Sequence, residues 1–236
     1  MVNDPNSSFL AACVQMRSGI NRADNTRAAL SLISDAAKAG AQFVVTPEMT
    51  NAVDRKGSRL MEGLPTEAGL DEIKAFSDAA REKGIWLLIG SLAVNAGNGK
   101  AANRSFMFGP DGAVIARYDK LHKFDVDLPI GESWKEAKIY QPGSKGVLVE
   151  TELAKIGLSI CYDVRFPSLY RGLAQAGAEV LCTPAAFTQQ TGKAHWEVLL
   201  RARAIENGAF VVAPAQGGTH EDGRKTYGHS MIVDPW

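Results

Sequence analysis

The chain has 236 residues, 45% hydrophobic and 22% charged, so it is long enough to form one large globular domain with a substantial core. Its 26 basic and 26 acidic side chains give a formal net charge of zero, which offers no electrostatic surface for nucleic acid or for an anionic membrane. The longest apolar runs, such as IWLLIG at 85–90, are much shorter than the roughly 20 residues of a membrane-spanning helix.

The cysteines and the N-terminal stretch indicate the cellular setting. Three cysteines cannot build a disulfide framework, and each lies in or beside an apolar run, which favours a reducing, cytoplasmic environment. The stretch MVNDPNSSFLAACVQM has no basic region before its apolar part, so no signal peptide is predicted.

Strand-like and helix-like runs alternate along the chain, a pattern typical of an α/β fold. The predicted strands are 9–16, 43–48, 85–94, the two arms of a hairpin that turns at 109–112, 155–163, 179–187, 209–217 and 230–236. The predicted helices are 25–39, with Asp24 or Asn25 as its N-cap, 66–83, 166–176 and 195–207.

Four glycines each stand between a helix-like run and an apolar strand: Gly40, Gly84, Gly177 and Gly208. Glycine adopts the left-handed conformation that ends a helix without steric cost, so these positions predict four returns from helix to strand. The absence of a linker or low-complexity tract predicts a single domain over residues 1–236. The last predicted strand runs into a turn, which leads us to expect a further C-terminal segment.

Three reactive side chains are predicted at the carboxyl ends of different strands, where α/β sheets form their ligand sites. Glu48 ends FVVTPE, Lys120 ends the second arm of the hairpin and Cys161 ends KIGLSIC. Each also has an ordinary structural interpretation, as a helix cap, a solvated strand end and an apolar core residue respectively. Together they supply the base, the cation and the nucleophile that a cysteine hydrolase requires.

The segments around these residues resemble the three signatures of the nitrilase superfamily of carbon–nitrogen hydrolases. They read VVTPEM around Glu48, YDKLHKFDVDLP around Lys120 and GLSICYDVRFP around Cys161. AHWEVLLRARAIE at 194–206 and YGHSMIVDPW at 227–236 are similar to the branch of amidases that act on deaminated glutathione, with ω-amidases next. The resemblance implies a four-layer α-β-β-α sandwich, no cofactor, and a homodimer or higher homo-oligomer.

The same resemblance implies an amidase that hydrolyses the C–N bond of a small carboxylated amide through a thioester and releases ammonia. Deaminated glutathione or an ω-amide would be the favoured substrate. Cys161 would attack the carbonyl carbon while Glu48 acts as general base. Lys120 would stabilise the oxyanion together with the backbone N–H of Tyr162. The lysine charge would also lower the pKa of the thiol and favour the thiolate.

The family has a second glutamate in the loop after the lysine motif, and the sequence offers Glu132 and Glu136 for it. In the family this residue lies seven positions after the proline of the motif and six before the proline of a Pro-Gly pair. Counting from Pro129 and from Pro142 both give position 136. Glu136 is therefore predicted to position Lys120, and Glu132 to be a solvated loop carboxylate.

Three further residues are candidates for binding substrate. Arg165 follows the nucleophile by four positions, and its planar guanidinium is suited to clamping a substrate carboxylate; a surface charge is the alternative. Phe187 and Thr188 follow the strand that ends in CTPAA, where they would line the pocket or pack in the core.

Other classes of site find little support in the sequence. The histidines have no metal-ligand spacing, so no metal is predicted, and no Gly-x-Ser-x-Gly element of a serine hydrolase is present. An N-carbamoyl hydrolase, a nitrilase of the same fold and a non-catalytic binding subunit stay open as alternatives. The combination of Glu48, Lys120, Glu136 and Cys161 argues against the binding subunit.

Overall fold

The structure is a computed structural model that describes residues 8–127 and 133–236. Its strands are β1 (Ala11–Cys13), β2 (Phe43–Val45), β3 (Trp86–Asn95), β4 (Ala101–Phe108), β5 (Val114–Asp119), β6 (Asp125–Asp127), β7 (Ser133–Lys135), β8 (Val147–Glu150), β9 (Lys155–Leu158), β10 (Val180–Cys182), β11 (Phe210–Ala213), β12 (Gly217–Thr219), β13 (Lys225–Tyr227) and β14 (Met231–Val233). Its α-helices are α1 (Arg22–Lys38), α2 (Gly57–Met61), α3 (Asp71–Lys83), α4 (Pro167–Gln175) and α5 (Gln189–Asn207).

Two five-stranded sheets form the centre of the described part of the chain. The first has the order β1-β2-β3-β4-β5, in which β1, β2 and β3 are parallel and β4 and β5 continue the sheet as an antiparallel hairpin. The second has the order β14-β11-β10-β9-β8, with three parallel strands in the middle and an antiparallel strand at each edge. The pairs β6–β7 and β12–β13 form separate two-stranded sheets.

The alternation of side chains along β2 shows what covers the first sheet. Val44 belongs to an apolar cluster with Ile33 of α1 and Phe76 of α3. Phe43 belongs to a second cluster, which it shares with Ile156 of the second sheet. Because successive strand residues point to opposite faces, α1 and α3 cover one face of the first sheet and the second sheet covers the other.

The second sheet is covered on its far side by α4 and α5. A Cβ on Gly157 of β9 would lie 3.1 Å from Leu173 of α4 and 3.0 Å from Leu181 of β10, so this face packs tightly on α4. Leu200 of α5 is fully buried in the same core. The layers therefore follow the predicted order of helix, sheet, sheet and helix.

Gly90 of β3 lies where the first sheet meets the loop that follows β10. A Cβ at this position would be 2.1 Å from the carbonyl oxygen of Thr46 and 2.5 Å from Cβ of Pro184. Both distances are far shorter than van der Waals contact, so glycine is required. The backbones of the two halves of the molecule approach each other closely at this point.

The helix ends follow capping chemistry. The side chain of Asn21 accepts hydrogen bonds from the first turn of α1, and Thr188 caps α5 in the same way. Both helices therefore begin earlier than the apolar pattern predicts. The four predicted returns at glycine are confirmed, because all four have positive φ, including Gly84 at 61° and Gly208 at 60°.

Several elements differ from the prediction because strands in this fold are short. Residues 155–163 form a strand only as far as Leu158, and Cys161 lies in a 3-10 turn, Cys161–Arg165, beyond it. The edge strand β8, the short helix α2 and the two small sheets are not apparent in the sequence pattern. No helix within 8–127 or 133–236 has the length and hydropathy needed to cross a membrane.

Candidate active site

Glu48 lies in a tight turn that begins directly after β2. The turn is held against β3 by two hydrogen bonds: the N–H of Gly90 donates to Thr46 Oγ1 at 3.0 Å, and the N–H of Met49 donates to Ser91 Oγ at 2.9 Å. Met49 has a φ of 55°, which is uncommon for a residue other than glycine. These contacts fix the direction in which the buried carboxylate of Glu48 points.

Lys120 follows β5 directly, and its side chain is enclosed between two carboxylates. Its Nζ donates to Glu48 Oε1 at 2.9 Å and to both oxygens of Glu136 at 3.0 Å. The side chain is only 2% exposed. An ammonium that is so fully removed from water requires such partners, since an unpaired buried charge is strongly unfavourable.

Glu136 begins a short 3-10 helix, Glu136–Lys138, that follows β7. Its Oε2 also accepts a hydrogen bond of 2.6 Å from the backbone N–H of Phe124, which fixes the carboxylate beside Lys120. This is the place that the double spacing predicts for the second glutamate. The competing candidate, Glu132, lies outside the described residues.

Asn103 of β4 connects the two carboxylates and is a contact that the sequence analysis missed. Its Nδ2 donates to Glu48 Oε1 at 2.9 Å and to Glu136 Oε1 at 3.4 Å, and its backbone carbonyl accepts from the N–H of Lys120. The tripeptide ANR has no distinctive pattern. Only the antiparallel pairing of β4 with β5 brings this amide to the site.

Cys161 opens the turn after β9 with a φ of 51°, a left-handed conformation that is rare for a residue with a side chain. Its N–H donates to the carbonyl of Pro184 at 2.9 Å. Within the turn, Asp163 accepts a hydrogen bond of 2.8 Å from the N–H of Ile160. These two hydrogen bonds hold the sharp turn in place and thereby fix the position of the thiol.

The electrostatics of Glu48 and Lys120 favour an ion pair. Burial opposes ionisation of Glu48 most strongly, but the charge of Lys120 and hydrogen bonds from Lys120, Cys161 and Asn103 together hold its pKa below the ordinary value. Burial likewise opposes the ammonium of Lys120, and the charges of Glu136 and Glu48 outweigh it, which raises its pKa well above the ordinary value. At neutral pH Glu48 is therefore a carboxylate that can accept a proton.

The protonation state of Cys161 corrects the sequence-based expectation of a lowered thiol pKa. Burial and the charge of Glu48 raise the pKa of this thiol well above its ordinary value, although the charge of Lys120 acts in the opposite direction. The resting group is thus a neutral thiol facing a carboxylate. An attack on a carbonyl then has to be accompanied by proton transfer to a base.

The predicted residues line a cavity of about 420 Å³, whose wall combines segments that follow strands of both sheets. Seven of the eight predicted site residues contribute to its wall: Glu48, Lys120, Glu136, Cys161, Tyr162, Phe187 and Thr188. Among the residues that the sequence analysis did not single out, Phe124, Trp134, Tyr140 and Arg224 also line it. A base, a cation and a thiol therefore face one enclosed space that is large enough for a small molecule.

Arg165 is the predicted site residue that the structure does not bring into the cavity wall. Its guanidinium lies over the rings of Tyr162 and Phe187, with 5.9 and 5.5 Å to their centroids, and its Nη2 is 3.2 Å from Nδ1 of His195. In this position the side chain contacts two residues of the wall but does not line the cavity itself. Its predicted role as a carboxylate clamp finds no support in these contacts.

The histidines form hydrogen bonds of other kinds. His220 is buried between the carbonyl of Ser18 and the hydroxyl of Thr226, and Nδ1 of His122 is 2.7 Å from a carboxylate oxygen of Asp163. Across residues 8–127 and 133–236, no group of three or more His, Cys, Asp and Glu side chains is arranged to hold a metal ion.

The helix–sheet–sheet–helix sandwich, with a carboxylate, an ammonium and a thiol in the wall of one cavity, indicates a hydrolase. Residues 10–236 match the carbon–nitrogen hydrolase family, and the chain belongs to that family. It is an amide-hydrolysing enzyme of the nitrilase superfamily, as the resemblance of its three motifs predicts.

Known relatives agree with this assignment in sequence and in structure. The chain is 42% identical over 232 residues to a deaminated glutathione amidase from Synechocystis, covering 97% of this chain and 85% of the relative. It is 36% identical over 230 residues to the omega-amidase NIT2 from Mus musculus, covering 98% and 82%. The solved structure of the C. elegans NitFhit protein superposes with a TM-score of 0.89 at 36% identity, covering 97% of this chain and 56% of that longer one. Nit3 from Saccharomyces cerevisiae gives 0.84 at 28% identity, covering 97% and 85%.

Proposed function

We propose that this chain hydrolyses the C–N bond of small carboxylated amides, with Cys161 as nucleophile, Glu48 as general base and Lys120 as the cation of the oxyanion site. The observation that carries the proposal is the contact of Lys120 with Glu48 and Glu136 beside the thiol in one cavity. A purely structural ion pair would account for the contact of Lys120 with two carboxylates. It would not account for the position of Cys161 beside them in a left-handed backbone conformation.

In the acylation step, Glu48 accepts the Sγ proton as the sulfur of Cys161 forms a bond to the amide carbonyl carbon. The carbonyl π electrons move onto oxygen, where the ammonium of Lys120 and the N–H of Tyr162 stabilise the negative charge. Protonated Glu48 then gives its proton to the amide nitrogen as the C–N bond breaks. The products of this step are a free amine or ammonia and a thioester on Cys161.

In the deacylation step, Glu48 is again a carboxylate and accepts a proton from water as the water oxygen attacks the thioester carbon. The tetrahedral intermediate collapses with cleavage of the C–S bond, and Glu48 returns the proton to sulfur. The same base therefore serves both halves of the reaction. Its ionised resting state, maintained by Lys120, is suited to this role.

Glu136 supports the reaction by fixing the position of Lys120. The ammonium of Lys120 lies between the carboxyl groups of Glu48 and Glu136, beside a neutral thiol. The positive charge that faces the developing oxyanion is held in place by hydrogen bonds from both sides of the ammonium. Because these contacts exist before substrate binds, little reorganisation is needed during the reaction.

The names of the relatives suggest which acyl and leaving groups to test. Deaminated glutathione contains secondary amide bonds, so its hydrolysis releases an amine, whereas an ω-amide releases ammonia. Both are small carboxylated amides. The prediction that ammonia leaves thus applies to an ω-amide, and we propose that both kinds of leaving group be measured. A nitrile or an N-carbamoyl amino acid is expected to be a poor substrate.

The test is an assay of wild-type protein against deaminated glutathione, an ω-amide, a nitrile and an N-carbamoyl amino acid, with detection of the carboxylic acid formed. Mass spectrometry after rapid quench is expected to show an acyl adduct on Cys161. The Cys161→Ala variant is expected to fold normally and to have no activity. Turnover by Cys161→Ala at the wild-type rate would refute the proposal.

We also propose a homodimer or higher homo-oligomer in a reducing, cytoplasmic setting. Val198 and Ile205 on α5 and Phe210 and Ile232 on β11 and β14 are large apolar side chains that are exposed in the isolated chain, which supports a self-association surface. The three cysteines are unpaired thiols, and the nucleophile has to stay reduced. Light scattering after size-exclusion chromatography tests the assembly, and a strictly monomeric species would contradict it.

A further inference from the structure

Arg224 lies in the loop between β12 and β13 and contributes to the cavity wall. The loop is rigidly attached to the rest of the molecule. The N–H of Arg224 donates to Asp222 Oδ1 at 2.9 Å, Asp222 Oδ2 accepts from the N–H of Arg55 at 2.8 Å, and Glu221 accepts from the N–H of Ile20 at 2.9 Å. The guanidinium is therefore presented from a fixed backbone.

The guanidinium of Arg224 has no hydrogen-bond partner among the described residues. Its side chain is only 15% exposed, its Nε is buried without an acceptor, and the nearest carboxylate oxygen, Oδ2 of Asp222, is 3.9 Å from Nε. Other enclosed arginines differ, because Arg22, Arg104 and Arg203 each donate to a carboxylate at 2.7–2.8 Å. The guanidinium therefore has donors free for an acceptor that enters the cavity, and burial of Nε favours such an acceptor.

Trp134 of β7 orients this guanidinium. The ring centroid of Trp134 is 4.5 Å from Cζ of Arg224 and 4.7 Å from Cζ of Arg55, so both cations lie against the same indole. The Nε1–H of Trp134 is itself buried with no acceptor among the described residues. Two neighbouring side chains of the cavity wall thus carry donor groups that the protein does not satisfy.

The charges on this side of the cavity favour an anion. Apart from the Glu48, Lys120 and Glu136 group, the charged residues that line the described cavity are Asp54, Arg55, Lys135, Lys138 and Arg224. Asp54 is neutralised by the guanidinium of Arg59, which donates to both of its oxygens at 2.6 and 2.8 Å. Lys135 is likewise paired, with Asp127 at 3.0 Å. Among the lining cations, Lys138 and Arg224 have no carboxylate of the described residues within hydrogen-bond distance, whereas two carboxylates lie next to the thiol.

We infer that Arg224, positioned on Trp134, binds a carboxylate at the end of the substrate remote from the scissile amide. The inference rests on the proposed function and narrows the substrate class to monoamides of dicarboxylic acids and similar amides with a distal carboxylate. The planar fork of an arginine matches the two oxygens of a carboxylate. Arg224 thereby takes the role that the sequence analysis gave to Arg165.

The kinetic test compares two substrates that differ only in this carboxylate: the monoamide of glutaric acid and the methyl ester of that monoamide. We expect wild-type kcat/KM to be roughly 10- to 100-fold higher for the acid, the usual range for a hydrogen-bonded charge. Arg224→Gln is expected to bring the ratio of the two kcat/KM values close to one, and Arg224→Lys to lower it partly. Trp134→Phe, which keeps an aromatic ring but removes the N–H, is expected to lower this ratio less than Arg224→Gln does.

The ratio of the two kcat/KM values distinguishes loss of carboxylate recognition from misfolding, because a misfolded variant loses activity on both substrates together. Arg171→Gln, a change at an exposed arginine on α4, is the matched control and is expected to keep the wild-type ratio. A wild-type ratio near one, an unchanged ratio in both Arg224 variants, or a loss of the ratio in Arg165→Lys instead would overturn the inference.

A binding measurement separates this inference from the proposed chemistry. We expect calorimetry to detect glutarate binding to Cys161→Ala protein, and to detect at least 10-fold weaker binding when Arg224→Gln is added. If wild-type protein hydrolyses neither amide but this difference persists, the proposed function fails and the carboxylate site stands. Tighter binding of inorganic phosphate than of glutarate, or equal glutarate binding by both variants, would overturn the assignment of a carboxylate site.

Discussion

The carboxylate of Asp163, two residues after Cys161, accepts a hydrogen bond of 2.6 Å from the hydroxyl of Tyr118, two residues before Lys120. The same carboxylate accepts from the N–H of Ile160 at 2.8 Å and from the N–H of His122 at 3.0 Å. Asp163 is completely buried. One side chain therefore joins the backbone that presents the thiol to the backbone that presents the ammonium.

This relationship predicts that Asp163→Asn is destabilising. An amide replaces one accepting oxygen by an NH₂ donor, which would face the donors that Asp163 now satisfies. We expect the free energy of unfolding to fall by about 1–3 kcal/mol, and kcat to fall as well because Lys120 and Cys161 shift relative to each other. Urea denaturation measures the first effect. Asp127→Asn, at an exposed aspartate, is the control, and equal stability of the two variants would contradict the prediction.

The second prediction concerns the two carboxylates that hold Lys120. Glu48→Gln keeps the shape of the side chain but cannot accept a proton, so we expect kcat to fall by about 10²-fold or more. Glu136→Gln is expected to impair turnover through misplacement of Lys120, and Glu132→Gln to be nearly silent. Steady-state kinetics provides the measurement, with the exposed Glu150→Gln as a further control. An inactive Glu132→Gln beside an active Glu136→Gln would show that the loop is wrongly assigned.

The third prediction distinguishes the three thiols. Burial raises the pKa of Cys13 to about 12 and that of Cys182 well above its ordinary value, and neither residue lines the cavity. Cys13→Ala and Cys182→Ala are expected to lower the free energy of unfolding by about 1 kcal/mol each and to leave turnover intact. Iodoacetamide should label Cys161 first, since its thiol faces the cavity and a base. Peptide mapping that found Cys13 or Cys182 labelled first would contradict the assignment.

The fourth prediction concerns Lys123, whose Nζ donates to the carbonyl of Lys120 at 2.6 Å. Burial lowers the pKa of Lys123 from 10.5 to about 8. Between these two values the unfolded chain binds more protons than the folded one, so the free energy of unfolding gains a contribution that rises with pH. Lys123→Met lacks this contribution. The difference in unfolding free energy between wild type and Lys123→Met should therefore shift in favour of wild type from about pH 8 to about pH 10.5; a constant difference would refute the pKa assignment.

The sequence predicts the parts of the site that depend on local backbone. Glu48, Lys120 and Cys161 each follow a strand within a few residues, so their placement at the carboxyl ends of strands follows from the strand pattern alone. Glu136 required the family resemblance, which supplies the spacing from two prolines that selects position 136. The α/β class and the returns from helix to strand were predictable from local sequence, because runs of apolar residues and four glycines mark each change of element, whereas the order of the four layers was implied by the family resemblance.

Other parts depend on contacts between distant segments, and the sequence does not reveal them. Asn103 reaches the site through the pairing of β4 with β5, and Arg224 reaches Trp134 from a loop about 90 residues away in the chain. The raised pKa of Cys161 was not foreseen, since the degree of burial outweighs the charge of Lys120 and burial is a property of the assembled core. Arg165, although close to the nucleophile in sequence, packs on Tyr162 and Phe187 and does not line the cavity itself.

The close approach of two backbone segments at Gly90 constrains the distance between the carboxylate of Glu48 and the sulfur of Cys161. Thr46, whose carbonyl oxygen faces this glycine, precedes Glu48 by two residues, while Pro184 accepts from the N–H of Cys161. The N–H of Ala186, two residues further on, donates to Glu48 Oε2 at 2.8 Å. A methyl group at position 90 would clash with Thr46, in the segment that carries Glu48, and with Pro184, in the segment that hydrogen-bonds to Cys161. The two segments would have to move apart. Glycine at position 90 therefore keeps the general base and the nucleophile at their present separation, although it contacts neither of them.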